Sequence, residues 1–198
     1  TIFIIILIKE YQKFRLVTFI IAIICIIILS LNSSSLTDRM FLEPAKEMGL
    51  IKSTNELKST NQSTIFSEAH DNHIRTAYNM FKDKPIFGHG PKMFRIKCSD
   101  PKYSIGRFPC ATHPHNFYIQ LLAETGIVGF LFLFSALIYV LYTALRQFKS
   151  IIFKQKRPLT DYQVCLLAGI LITLWPFSPN GNFFNNWLMV VYSLPVGF

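Results

Sequence analysis

Apolar positions gather in four runs, at residues 1–8, 16–31, 127–145 and about 164–177, and a fifth begins at 187 and reaches residue 198. The run at 16–31, LVTFIIAIICIIILSL, has no polar face. A helix that is apolar all round belongs against lipid or other helices rather than water. The pattern predicts two membrane segments within 1–31, the first cut short, then one at 117–145, one at 162–177 and a truncated one at 187–198. A hydrocarbon core needs about 20 apolar residues of helix, and neither end of the chain supplies them. The expectation is therefore the C-terminal part of a larger polytopic protein. Lys9 and Glu10 follow the opening run without a small-residue cleavage site, so no signal peptide is expected.

Between the second and third runs lies a polar stretch, residues 32–116, that holds all five histidines. Its segments 32–35 and 52–63 are rich in Ser, Thr and Asn and predict irregular chain. Residues 66–81 predict a helix, with Phe66, Ala69, Ile74, Ala77 and Phe81 approximating one face. Pro85, Gly88 and Gly90 end it in a turn, and a second break at 109–114 precedes the next span. The fold class is an all-α membrane protein: a polytopic transmembrane helix bundle with one large, partly helical loop.

Composition sharpens this picture. Charged residues are 16% and hydrophobic residues 51% of the 198, against about 25% charged in an ordinary soluble domain. That much apolar surface speaks against a soluble enzyme and excludes a disordered chain. The net charge of +9 invites nucleic acid, but its distribution speaks for a membrane and against nucleic acid as a partner. Lys9, Lys13 and Arg15 flank one apolar run, and Arg146, Lys149, Lys154, Lys156 and Arg157 fill the connection 146–161 after another. The positive-inside rule puts both clusters in the cytoplasm, which leaves 32–116 and the short loop 178–186 on the outer side. The basic connection is a topology determinant, with anionic lipid as an alternative ligand.

Candidate chemistry concentrates where the polar stretch meets a span: His113, His115 and Asn116, then Glu124, Gly126 and Gly129. Histidine at the mouth of a membrane helix is a candidate general base near neutral pH, and an ionisable residue at a span's edge is a functional hypothesis. The plain alternative is an interfacial histidine with a snorkelling glutamate. His115 and Glu124 stand nine residues apart, on opposite faces of a continuous helix, so Glu124 is expected to pair with another helix. Gly126 and Gly129 suit close helix packing. Asp71 and Arg75, at i,i+4, are spaced for a plain surface ion pair. His70, His73 and His89 are assigned to loop surface or packing.

The stretch 112–130, THPHNFYIQLLAETGIVGF, resembles the signature of the O-antigen ligase and O-antigen polymerase superfamily, H-N-x7-E-x-G-x-x-G. Two more segments match in order: 75–90, RTAYNMFKDKPIFGHG, like the family's Arg-led helix and P-x-x-G-x-G turn, and 178–187, SPNGNFFNNW, like its short outer loop. The resemblance covers roughly residues 65–198. The family often has Trp where Ala77 or Tyr78 stands here, a difference that touches packing. Its N-terminal spans, with a further basic residue, are not matched in this chain.

The resemblance implies a multi-span glycosyltransferase of the bacterial inner membrane, working at its periplasmic face without a metal or other cofactor. The donor would be a glycan on undecaprenyl diphosphate and the ligase acceptor lipid A–core. Polymerases and oligosaccharyltransferases that glycosylate pilin-type proteins share the superfamily. Carried over, His115 matches the histidine that activates the acceptor hydroxyl, and Arg75 an arginine that holds the diphosphate. His113, Asn116 and Glu124 stand beside them as candidate substrate contacts. A planar guanidinium suits phosphate, and fixed positive charge suits a diphosphate leaving group. A different class, a transporter of the same lipid-linked glycan, would put ionisable residues near the bilayer midplane. The intact runs carry none.

Cys25 and Cys165 fall inside apolar runs and predict packing residues. Cys98 and Cys110 fall in the large loop, where an oxidising periplasm permits a disulfide that closes about 13 residues and stabilises by about 3 kcal/mol. The rival is a metal site from Cys98, Cys110, His113 and His115, whose C-x11-C-x2-H-x-H spacing is not that of the common zinc modules.

Overall fold

A computed structural model describes residues 7–8, 12–32, 37–47 and 67–197, and among these the regular structure is entirely helical. Helix α1 spans Gln12–Asn32, α2 Glu43–Glu47 after a π-helical turn at Asp38–Leu42, α3 Glu68–Asp83, α4 Phe94–Lys97, α5 Phe117–Ile152, α6 Asp161–Leu174 and α7 Asn186–Gly197. Two of these, α1 and α5, are long and apolar enough to cross a membrane. The irregular segments expected at 32–35 and 52–63 lie outside the described residues, apart from Asn32 at the end of α1.

Helix α1 leaves Leu16, Ile20, Ile24, Ile27 and Leu31 exposed, as an apolar surface with no polar face requires when lipid is its solvent. Helix α5, 36 residues long, covers about 54 Å at 1.5 Å per residue, more than a hydrocarbon core of about 30 Å. It is divided at Gly126, whose φ of 67° and ψ of −162° are non-helical. Asn116 caps its start, its side chain accepting from the amides of Tyr118 and Ile119 at 3.0 and 3.2 Å. The helix continues through Arg146 and Lys149, past the boundary expected at 145, because Arg, Gln and Lys are good helix formers and no breaker intervenes before Pro158. A capping box between Thr160 and Gln163 starts α6. Its 14 residues make about 21 Å of helix, short of a complete crossing on their own.

Two clusters of buried side chains hold the molecule together. One joins α5 and α6 through Phe117, Leu121, Leu133, Val140, Val164 and Leu167. An apolar cavity of about 430 Å³ lies between α5, α6 and α7, running from Phe117 past Leu133 and Leu174 to Met189 and Tyr192. The other packs α3 and α4 against the first turns of α5 through Ala77, Met80, Phe94, Cys98, Tyr103 and Ala123. The buried face of α3 is Asn72, His73, Thr76, Ala77 and Met80. The apolar face expected from the sequence shares only Ala77 with it, because α3 presents polar groups to a site as well as apolar groups to a core.

Candidate functional site

The α3–α4 connection and the break in α5 are built as one unit. The amides of His89 and Gly90 donate to the carbonyls of Ala123 and Glu124 at 3.0 and 2.8 Å, and the amide of Ile127 donates to the Pro85 carbonyl at 2.8 Å. The turn 85–90 thus satisfies backbone groups that the broken helix cannot. A Cβ on Gly126 would fall on the Ile86 carbonyl, and one on Gly88 on the Glu124 backbone. Gly126 therefore serves a helix break rather than helix–helix packing. The atoms nearest a Cβ on Gly129 belong to the Thr125 side chain.

Glu124 anchors the same junction. It is 1% exposed, its Oε1 accepts from the Phe94 amide at the start of α4 at 2.8 Å, and its Oε2 accepts from Gln120 Nε2 at 3.0 Å. Gln120 passes the connection on to the loop between α6 and α7, donating to Asn182 Oδ1 at 2.9 Å and accepting from the Phe183 amide at 3.0 Å. Glu124 pairs with another helix, as its spacing from His115 requires. Asn116 is likewise occupied: besides capping α5, its Nδ2 donates to the Pro176 carbonyl at 2.6 Å. The substrate contacts expected from Asn116 and Glu124 thus meet side chains whose polar atoms already have protein partners.

His115 stands apart from these. Its φ of 58° is a left-handed conformation, which costs a residue with a side chain roughly 1–2 kcal/mol. Pro114 before it is buried, Asn116 after it is committed to the cap, and the Asn180 amide donates to the His115 carbonyl at 2.9 Å. Those neighbours impose the strained geometry, the kind of over-determination found at functional sites.

Around its imidazole stand three others, with ring centroids 4.2 Å away for His113, 5.1 Å for His70 and 5.7 Å for His73. His113 is held at both nitrogens, Nδ1 by Thr112 Oγ1 at 2.9 Å and Nε2 by the Asn180 carbonyl at 3.1 Å. His70 Nδ1 meets Ser67 Oγ at 2.7 Å. His70 and His73, three residues apart, share one face of α3. Desolvation pushes the His115 pKa down to about 4, with His113, His70 and His73 adding to the effect. Burial also lowers His113 and His73, opposed by hydrogen bonding to the backbone of Asn180 and Cys110 respectively. His115 is thus neutral at pH 7, with a lone pair for a proton. His89, by contrast, is a packing residue, its Nε2 on the Met80 carbonyl at 3.0 Å and its Nδ1 accepting from Lys97 at 3.1 Å.

Arg75 lies elsewhere. Two residues beyond His73, it is turned about 200° around α3, half-exposed, with its guanidinium 3.6 Å from Asp71. That is the surface ion pair its spacing allows. Cys98 and Cys110 form a disulfide with Cα atoms 5.1 Å apart, which ties the end of α4 to the start of the histidine loop. The metal reading thereby loses its sulfur ligands.

Sequence reasoning brought His113 and His115 forward but missed His70 and His73 as their neighbours, and Gln120, Asn180 and Asn182 as the frame. The i,i+3 histidine pair on a helix with polar residues on its buried face was the available signal.

Comparison with known proteins adds the lineage. A family model described as O-antigen ligase matches residues 1–134, about two thirds of the chain, and the chain belongs to that family. The match includes 75–90 and 112–130 but ends within α5, so it is placed differently from the resemblance traced over 65–198, and the 178–187 segment lies beyond it. No curated protein and no solved structure matches.

Proposed function

We propose that this member of the O-antigen ligase family transfers a glycan from undecaprenyl diphosphate to lipid A–core at the periplasmic face of the bacterial inner membrane. The observation that carries the reading is His115: strained, desolvated, unprotonated at neutral pH and held at the head of the apolar helix α5. In the reaction, His115 takes the proton of the attacking acceptor hydroxyl. That oxygen bonds to the anomeric carbon, the bond from this carbon to the diphosphate oxygen breaks, and undecaprenyl diphosphate leaves with the electron pair, inverting the centre. Arg75, half-exposed and paired with Asp71, lies about 200° round α3 from His73. Holding the diphosphate beside His115 therefore requires its long side chain to leave Asp71 and swing across the helix, where it would balance the leaving group's growing charge. The apolar cavity beginning at Phe117 supports a lipid-linked donor, because an aliphatic chain can enter it two residues from His115.

The test expresses the gene encoding this chain in a strain lacking its own ligase and resolves the lipopolysaccharide on a gel. A glycan ladder on lipid A–core, lost in His115→Ala and Arg75→Ala, is the expected result. Longer glycan on the lipid carrier without a ladder would make the protein a polymerase. A ladder that survives His115→Ala would overturn the assignment of the base.

A further inference from the structure

His115 has three imidazole neighbours, and they differ in what their nitrogens are doing. His113 is saturated, both ring nitrogens meeting protein partners. His70 is held at Nδ1 by Ser67. His73 is 7% exposed and its Nδ1 is buried with no hydrogen-bond partner. A buried polar atom left unsatisfied costs about 1–3 kcal/mol, and native proteins rarely keep one without a use.

The surroundings of His73 explain its fixed position. Its ring meets Phe94 edge-on at 6.5 Å. In the tautomer that carries its proton on Nε2, the unpartnered Nδ1 offers a free lone pair. The His73 and His115 rings are tilted by 32° with centroids 5.7 Å apart. An N–H···N bond of about 3 Å plus the two ring radii spans roughly that distance. The bond is not formed in this structure, and catalytic hydrogen bonds commonly tighten only when substrate is bound.

We propose that His73 is a positioning residue for His115: its Nδ1 accepts the N–H of His115, selects the tautomer and leaves the other His115 nitrogen open to the acceptor hydroxyl. This rests on the reading of His115 as general base. No proton passes to His73. When His115 becomes an imidazolium, the same hydrogen bond goes from neutral to charge-assisted and strengthens, so the interaction favours the transition state over the ground state.

The experiment compares His73→Phe and His73→Asn in the protein expressed from its complete gene. Membrane vesicles receive undecaprenyl-diphosphate-linked glycan and lipid A–core, and kcat and KM are measured separately. Phenylalanine keeps the ring but removes the lone pair; asparagine returns an acceptor oxygen near the Nδ1 position. His73→Phe should lower kcat roughly ten- to hundredfold with KM changed less than about twofold, and His73→Asn should recover most of the loss. Formation of the 98–110 disulfide shows that each variant has folded. Should the Phe variant fail to accumulate, His73→Leu takes its place with the same reading. Wild-type kcat in the variant lacking the lone pair would overturn the proposal, as would an Asn variant as slow as the Phe variant. His115→Ala run alongside separates the two levels. Activity in that variant removes the general base and this inference together, whereas an inactive His115→Ala beside a fully active His73→Phe removes this inference alone.

Discussion

The amide of Gly90 donates to the carbonyl of Glu124 at 2.8 Å, and that bond joins two motifs that lie 34 residues apart in the chain. The P-x-x-G-x-G turn and the E-x-G break in α5 are the two halves of one backbone junction. It directs Glu124 onto α4 and puts α3, with its histidines, beside His115.

Substitution at Gly126 tests the junction. Its φ and ψ fall in a region almost reserved for glycine, where another residue costs about 1–3 kcal/mol, and a Cβ there also meets the Ile86 backbone. Gly126→Ala should sharply reduce the amount of folded protein in the membrane. Gly129→Ala, whose nearest neighbour is a movable Thr125 side chain, should cost less than about 1 kcal/mol. Thermal unfolding in detergent orders the two, and equal losses would mean that the junction does not hold the site.

Arg75→Ala separates function from stability. Its ion pair with Asp71 is surface-exposed, and such pairs are worth about 0–1 kcal/mol. Tm should therefore stay near that of the wild type while transfer falls at least about a hundredfold, the effect expected when charge on the leaving group loses its partner. A fall in Tm with transfer intact would return Arg75 to a structural role.

His115 sets the pH dependence. Its pKa is held down to about 4 by burial, with neighbouring imidazoles adding to the effect, against about 6.5 in the unfolded chain. The base stays unprotonated until pH falls through the lower value, so the acid limb of kcat/KM should lie near pH 4–5. Stability falls earlier, already within that window. Between about 6.5 and 4 the unfolded chain binds protons that the folded site refuses, so stability is full above 6.5 and falls as the medium is acidified. His73 and His113, also lowered by burial, add to that trend. An acid limb at 6.5 in the profile would contradict a desolvated base.

Removing the disulfide should loosen the histidine loop. Cys98→Ala with Cys110→Ala should cost about 2–4 kcal/mol and lower transfer, because the disulfide ties the end of α4 to the loop that carries His113 and His115. Non-reducing mass spectrometry of the wild type checks the bond itself, and two free thiols there would remove the premise.

Residues that act through local rules were legible without a structure. The apolar runs at 16–31 and 127–145 declared themselves because a helix that faces lipid cannot carry a polar face. Asn116 could be assigned to the mouth of α5 and Cys98 and Cys110 could be considered as partners, since a helix start and a short disulfide loop depend on nearby residues. The helix predicted at 66–81 fell two residues from the observed α3 at both ends. Its buried face was not legible, because the partner that makes Asn72, His73 and Thr76 interior is the distant unit formed by α4, α5 and the histidine loop. Only tertiary structure brought His70 and His73 to His115, turned Arg75 to the other side of α3 and brought Asn180 to the His115 carbonyl. Periodicity records how a helix meets an average environment, whereas these contacts depend on which backbone groups a broken helix leaves for a distant turn to satisfy.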